Sequence, residues 1–252
     1  MNLQTYKLIN LAKTLKLGYN PPTMLDLGNK QIVYITRDIE RACGLPIDTH
    51  GYYIISNLSD FAKEISKGHE NVLLIDEKEQ PDTWKLLKNE KVIDFINNLD
   101  NPHIVVFKNT PQIERICEEH NWNLLNPSAE LSNNVEEKLS GFEWLGDLQK
   151  HLPQTEIKLC KDIIFEDKPF ILQFNRAHTG SGTTLIESEE QLKKIQEKFP
   201  ERDVRISDYI EGPMFTSNNI VTNNTTLVGN ISYQITGLEP FTDQSFSTIG
   251  ND

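Results

Sequence analysis

The segment His178-Thr179-Gly180-Ser181-Gly182-Thr183 concentrates residue types suited to holding an anion. Glycines let successive backbone N–H groups turn toward a phosphate without steric conflict. The hydroxyls of Thr179, Ser181 and Thr183 add further donors. Apolar runs flank the loop on both sides, so it joins two strands. That excludes a Walker A loop, which leads into a helix and needs a Lys followed by Ser or Thr. Read alone, Gly-Ser-Gly between strands is also the composition of an ordinary hairpin turn.

Other chemistries find little support. The three cysteines, Cys43, Cys117 and Cys160, are far apart, odd in number and without a CxxC pair, which predicts reduced structural thiols in a cytoplasmic protein. No Ser/His/Asp or Cys/His nucleophile set stands out; Cys160 with His151 does not make a pair. The chain has 252 residues, 25 Lys+Arg against 37 Asp+Glu, and a net charge of −12. Such an acidic chain with no basic block is a poor partner for nucleic acid or an anionic membrane, although one local pocket could still hold a small anion. No run of about 18 apolar residues is present, and the opening residues lack a signal-peptide core. The sequons at Asn57, Asn223, Asn224 and Asn230 read as chance in an Asn-rich chain.

The elements that must position these residues differ between the halves. In the first, continuous apolar runs at 31–36, 52–56, 71–76 and 103–107 read as strands buried on both faces, hence a parallel sheet. Amphipathic stretches lie between them: one capped by Ser59 or Asp60, one from Asp82 with a break near Asn89, and one opened by Thr110-Pro111. A short strand is expected at 122–125. The pattern predicts a doubly wound, Rossmann-like layer, though no GxGxxG follows its first strand. In the second half a single helix is expected over about 132–150, burying Leu139, Phe142, Leu145 and Leu148. Strands then dominate at 155–159, 169–176, 183–187, 203–209, 214–222 and 226–236. One helix, 188–199, interrupts them, with Ser188 and Gln191 forming a capping-box pattern. Asn223-Asn224 marks a hairpin turn.

The order of an apolar strand, a Gly/Ser loop, a strand, a helix and then Val204-Arg-Ile-Ser-Asp-Tyr-Ile-Glu-Gly-Pro213 resembles the ATP-grasp superfamily. Upstream, Glu137-Lys138-Leu139-Ser140 resembles the Asp-Lys opening of that family's linker helix, followed here by His151-Leu-Pro-Gln-Thr155. The resemblance covers about residues 129–252. It implies an α/β chain: a Rossmann-like domain over 1–128, a linker helix over 129–154, a small lid subdomain over 155–212, and an incomplete start of the C-terminal subdomain over 213–252. It implies that Lys138 contacts phosphate, that the mobile loop with His178, Thr179, Gly180, Ser181, Gly182 and Thr183 closes over ATP, and that Ser207, Asp208, Tyr209 and Ile210 form the adenine hinge. There the Asp208 carbonyl would accept from the adenine amino group and the Ile210 N–H would donate to a ring nitrogen. Ile171 and Ile206 are candidate pocket walls.

Two departures from the family pattern stand out. Gln173 occupies the place of a phosphate-binding lysine, with Arg176 and His178 as possible compensating charges. The chain also stops at Asp252, before the acidic and Asn residues that would hold Mg²⁺; Glu239 and Asp243 are the only acids after Gly212 and before Asp252. The resulting expectation is the ATP-binding portion of a ligase that would activate a small carboxylate as an acyl phosphate for attack by an amine. ATP and Mg²⁺ would be its cofactors, with the Mg²⁺ ligands outside this chain, and the chain alone would be inactive. A non-catalytic nucleotide-binding module and a structural fragment remain as alternatives. A bare sheet is expected to favour self-association through 214–240 or disorder of the last ten or so residues.

Overall fold

Five short apolar strands build the first sheet of the computed structural model, which describes residues 27–176 and 182–252. They are β1 (Gln31–Ile35), β2 (Tyr52–Asn57), β3 (Val72–Ile75), β4 (Pro102–Val106) and β5 (Asn123–Leu124). All pairings are parallel and the order is β3-β2-β1-β4-β5. Val33, Ile35, Ile54, Ile55 and Ile104 are fully buried, as strands covered on both faces require. One face packs against α2 (Thr83–Leu86), α3 (Glu90–Asn97) and α4 (Pro111–Glu119) through Leu86, Leu87, Val92, Ile96, Ile113 and Ile116. The other is covered by a 3₁₀ turn at Ile39–Ala42 and by α1 (Asp60–Ile65).

The helix starts have local causes. Ser59 Oγ accepts from Ala62 N and Thr110 Oγ1 from Ile113 N, each satisfying an orphan donor of the first turn. Asn89 caps α3 by accepting from Lys91 N, which explains the break expected there.

The chain divides into two compact units, 1–132 and 133–252. In the second, the single helix expected over 132–150, and with it a continuous linker helix over 129–154, is corrected to three pieces. These are α5 (Ala129–Glu136), α6 (Lys138–Trp144) and a 3₁₀ segment, Gly146–His151. The break falls at Glu137, whose backbone is extended and whose carboxylate accepts from Asn175 Nδ2 and Arg176 Nε, both at 2.9 Å. The α5 and α6 backbones meet so closely that a Cβ on Gly141 would lie 2.6 Å from the Val135 carbonyl oxygen. Gly146 sits at φ +51°, outside helical geometry. The apolar stripe is not buried as expected: Leu139, Phe142 and Leu145 are half-buried, and Leu148 is exposed.

The second sheet is antiparallel, order β6-β9-β7-β8, from β6 (Thr155–Leu159), β7 (Phe170–Phe174), β8 (Thr183–Ile186) and β9 (Asp203–Asp208). Leu172, Ile186 and Val204 point to one face and pack with Leu192 of α7 (Glu189–Lys198), Cys160 and Ile163. Gln196 Nε2 ties that helix to the 160–163 turn, donating to the carbonyls of Cys160 and Ile163 at 2.9 Å. Ser188 caps α7 by accepting from Gln191 N, and Gln191 Oε1 accepts from Glu187 N at 2.8 Å.

A third sheet contains β10 (Phe215–Val221), β11 (Thr226–Thr236) and β12 (Thr248–Asn251). The 222–225 turn closes with Thr222 N donating to the Thr225 carbonyl at 2.8 Å. The disorder expected of the last residues is corrected: they pair as β12, with Tyr233 and Asp252 exchanging backbone hydrogen bonds of 2.8 and 2.9 Å. The rest of the sheet is bare, with Phe215, Ile220, Val221, Val228 and Ile231 all exposed.

Candidate nucleotide site

Side chains alternate along a strand, so the face of the second sheet opposite α7 presents a fixed set. Register pairs Gln173 with Arg205 and with Thr183, Ile171 with Ser207 and Leu185, and Thr155 with Ser207. Cross-strand partners share a face. Ile171, Gln173, Thr183, Arg205 and Ser207 therefore stand together. Ile206 does not join them: it has the opposite parity and packs into the core under α7, so of the two residues that could wall the pocket or equally be ordinary core, only Ile171 lies on Gln173's face.

Gln173 links three strands. Its Nε2 donates to Thr183 Oγ1 at 3.0 Å, and its Oε1 accepts from Arg205 Nε at 3.0 Å and from Arg205 Nη2. Arg205 is half-buried, and burial lowers its pKa from the ordinary value. A guanidinium still keeps its proton at neutral pH. Among the described residues no carboxylate pairs with Arg205. Among the described residues the cation bonded to Gln173 is thus on the adjacent strand. Arg176, one of two candidates to compensate for the missing lysine or else simply a loop residue, is exposed and bound to Glu137 at 2.9 Å.

Arg205 escaped the sequence reading. Its signal was a lone cation inside the run Val204-Arg-Ile, in an alternating phase with Ser207.

Lys138 opens α6 where that helix meets the end of β7. Its backbone N–H donates to the Asn175 carbonyl at 3.3 Å, and Leu139 N donates to Asn175 Oδ1 at 3.0 Å. Asn175 lies two residues beyond Gln173, so α6 begins beside the Gln173–Arg205 pair's end of the strand. Among the described residues no carboxylate engages the Lys138 ammonium.

The hinge candidates follow at the end of β9. Asp208 N donates to the Gln154 carbonyl at 3.0 Å, and its carboxylate pairs with Lys168 at 2.7 Å. Tyr209 and Ile210 lie beyond the strand and are exposed, and the Ile210 N–H has no partner among the described residues. Of the loop residues, Thr183 opens β8 and the Gly182 carbonyl accepts from Phe174 N at 3.1 Å. His178, Thr179, Gly180 and Ser181 lie outside the described residues, as does most of the segment expected to be mobile.

A cavity of about 210 Å³ opens near the other face, lined by Glu156, Lys158, Ile163, Phe170 and Ile206 and reaching the hinge candidates Ser207 and Asp208. Its lysines are already matched: Lys158 to Glu156 at 2.5 Å and Lys168 to Asp208. Among the described residues no three Asp, Glu, His or Cys side chains come together as a metal site, and no helix is long and apolar enough to cross a membrane.

No protein-family model matches the chain. No curated protein matches it in sequence. Solved structures do match in fold. N5-carboxyaminoimidazole synthetase from Staphylococcus aureus aligns with a TM-score of 0.55 at 13% identity, over 81% of this chain and 53% of its own. The biotin carboxylase domain of the 2-oxoglutarate carboxylase of Hydrogenobacter thermophilus, in complex with MgADP, ADP and bicarbonate, aligns with a TM-score of 0.55 at 16% identity, over 81% and 50%. L-amino acid ligase from Bacillus licheniformis aligns with a TM-score of 0.50 at 14% identity, over 81% and 50%. The chain spans about half the length of these structures.

Proposed function

This chain carries the fold of the ATP-grasp enzymes over that shared length, and on that premise we propose that it is the ATP-binding portion of an ATP-dependent ligase. In this reading the parallel-sheet unit is the Rossmann-like domain that precedes the ATP-binding fold, and the α7-backed sheet is the lid. The adenine sits at 207–210, where the Ile210 N–H has no partner among the described residues and can donate. The phosphates lie toward Gln173, Lys138 and the loop ending at Thr183. The reaction assigned to the whole protein is transfer of the terminal phosphoryl group of ATP to a small carboxylate, after which an amine displaces phosphate from the acyl phosphate. The task of this chain's residues is to hold and orient the nucleotide and to neutralise phosphate charge, the dominant contribution in phosphoryl transfer.

The observation that carries the reading is the polar and cationic set, Gln173, Thr183, Arg205 and Ser207, on one face of a sheet whose other face is core. Mg²⁺ would bridge the phosphates when bound, but it needs several oxygen ligands. The described residues offer no acidic cluster to supply them, so no step is assigned to the metal here. A cytoplasmic setting goes with the three free thiols.

Titration calorimetry tests the reading. ATP and ADP are expected to bind, and GTP, whose base presents a keto oxygen where adenine presents an amino group, to bind more weakly. Absence of heat with any adenine nucleotide would refute it. The second reading, a module that binds nucleotide without turning it over, is favoured by Gln173 in place of a charged residue; nucleotide binding with no phosphate release from the complete protein would support it.

A further inference from the structure

We infer that Arg205 is the residue that reads the nucleotide's phosphates, with Gln173 as the positioning residue that holds its guanidinium in place. The inference deepens the nucleotide site proposed above and rests on that reading. Three observations carry it. Arg205 is a half-buried cation in the middle of a strand, and the oxygen it is bonded to is the neutral amide oxygen of Gln173. A charge removed from water in this way is normally balanced by an anion, and among the described residues no carboxylate provides one. The guanidinium also has donors to spare. It carries five N–H groups in a planar fork, and Nε and Nη2 each spend one on Gln173 Oε1. Three N–H groups have no partner among the described residues, enough for the bidentate geometry that arginine uses with phosphate.

Gln173 is itself fixed from both sides. Its Nε2 donates to Thr183 Oγ1 and its Oε1 is held by Arg205, so the amide cannot turn without breaking bonds to two strands. Ser207 follows Arg205 on the same face of β9, and beyond the strand's end comes the Ile210 N–H, unpaired among the described residues, so that one ligand could meet a polar end and a base end. Lys138, beside the end of β7, adds a second cation from the helix side, an ammonium that no carboxylate engages among the described residues. An adenine nucleoside with two or more phosphates fits this set; a nucleoside without phosphate would leave Arg205 unanswered.

Binding of ADP and of adenosine to the wild type and to Arg205→Met, read as the ratio of the two dissociation constants, tests the assignment. The ratio removes any general effect on the hinge. Loss of charge-assisted hydrogen bonds predicts that Arg205→Met weakens ADP by about 10- to 100-fold and leaves adenosine within about twofold. Adding Gln173→Lys to Arg205→Met returns a cation to the neighbouring strand and is expected to recover most of the ADP affinity, which a purely structural cross-strand pair would not allow. If Arg205→Met does not fold, Arg205→Lys keeps the charge and loses the fork, and is expected to lower the ADP preference by about threefold. An unchanged ADP-to-adenosine ratio in the folded variant overturns the role of Arg205 while leaving the nucleotide site standing. Failure of the wild type to bind either ligand overturns both.

Discussion

Replacing Ile210 with proline removes a backbone donor that has no partner among the described residues. The Ile210 N–H is unpaired among the described residues, the residue lies beyond the end of β9, and its side chain is 67% exposed. Proline pushes the preceding residue toward extended geometry, which Tyr209 can adopt on leaving a strand. Folding should therefore be almost unaffected, within the roughly 0.5 kcal/mol typical of exposed substitutions. If that N–H donates to an adenine ring nitrogen, its loss removes a net hydrogen bond of about 0.5–1.5 kcal/mol, which is about a 2- to 13-fold weaker nucleotide. Ile210→Ala is the control, since it trims the side chain and keeps the donor. The assay is calorimetric titration of both variants with adenosine, ADP and ATP, alongside thermal melts. The account expects proline to bind all three more weakly than alanine by that factor, at equal melting temperature. Equal affinity of two equally stable variants would show that adenine does not use this N–H.

Other consequences follow from packing and titration. Leu192→Ala empties the centre of the core under α7, where Leu192 is 2% exposed, and should destabilise the second unit by about 2–5 kcal/mol in denaturant unfolding. Burial, with Glu114 and Glu118 adding to it, pushes the Cys117 thiol up to about 11. Between its ordinary value of 9.0 and that value the native state keeps a proton that the unfolded chain has lost, so stability should fall as pH rises through this window. Unfolding curves at pH 8 to 11 should show a shallower decline for Cys117→Ala. Val228→Lys places a charge on the bare third sheet, where Val228 is 75% exposed. If that sheet drives self-association, light scattering should show the variant shifted toward monomer; an already monomeric wild type would refute association through 214–240.

Much of the fold was readable because local signals agreed with it. Continuous runs such as Gln31–Ile35 and Pro102–Val106 announced a parallel sheet, and Ser59, Thr110 and Ser188 announced helix starts through hydrogen bonds that need only three residues to form. The failures were non-local. The helix over 132–150 broke because Glu137 bonds to Asn175 and Arg176, residues almost 40 positions away. The strand β12 depends on reaching back to β11. In the candidate site, the places of Gln173 in β7 and of residues 207–210 at the end of β9 were legible from residue order, but the Gln173–Arg205 pairing was not. That pairing comes from the antiparallel register that sets Arg205 opposite Gln173, and register between strands 30 residues apart is fixed by the pairing of the whole sheet. Arg176 was a plausible substitute by sequence proximity and was lost to a nearer carboxylate.

The central claim, that one face of the α7-backed sheet is an ATP site, is tested most directly by a crystal structure of this chain with a non-hydrolysable ATP analogue. The account predicts the adenine against residues 207–210, with the Ile210 N–H on a ring nitrogen, and the phosphates within hydrogen-bonding distance of Arg205 and near Lys138. An analogue seated instead against Lys158 and Phe170, with its phosphates away from Arg205 and its base off the Ile210 N–H, or density for no nucleotide at saturating concentration, would contradict it.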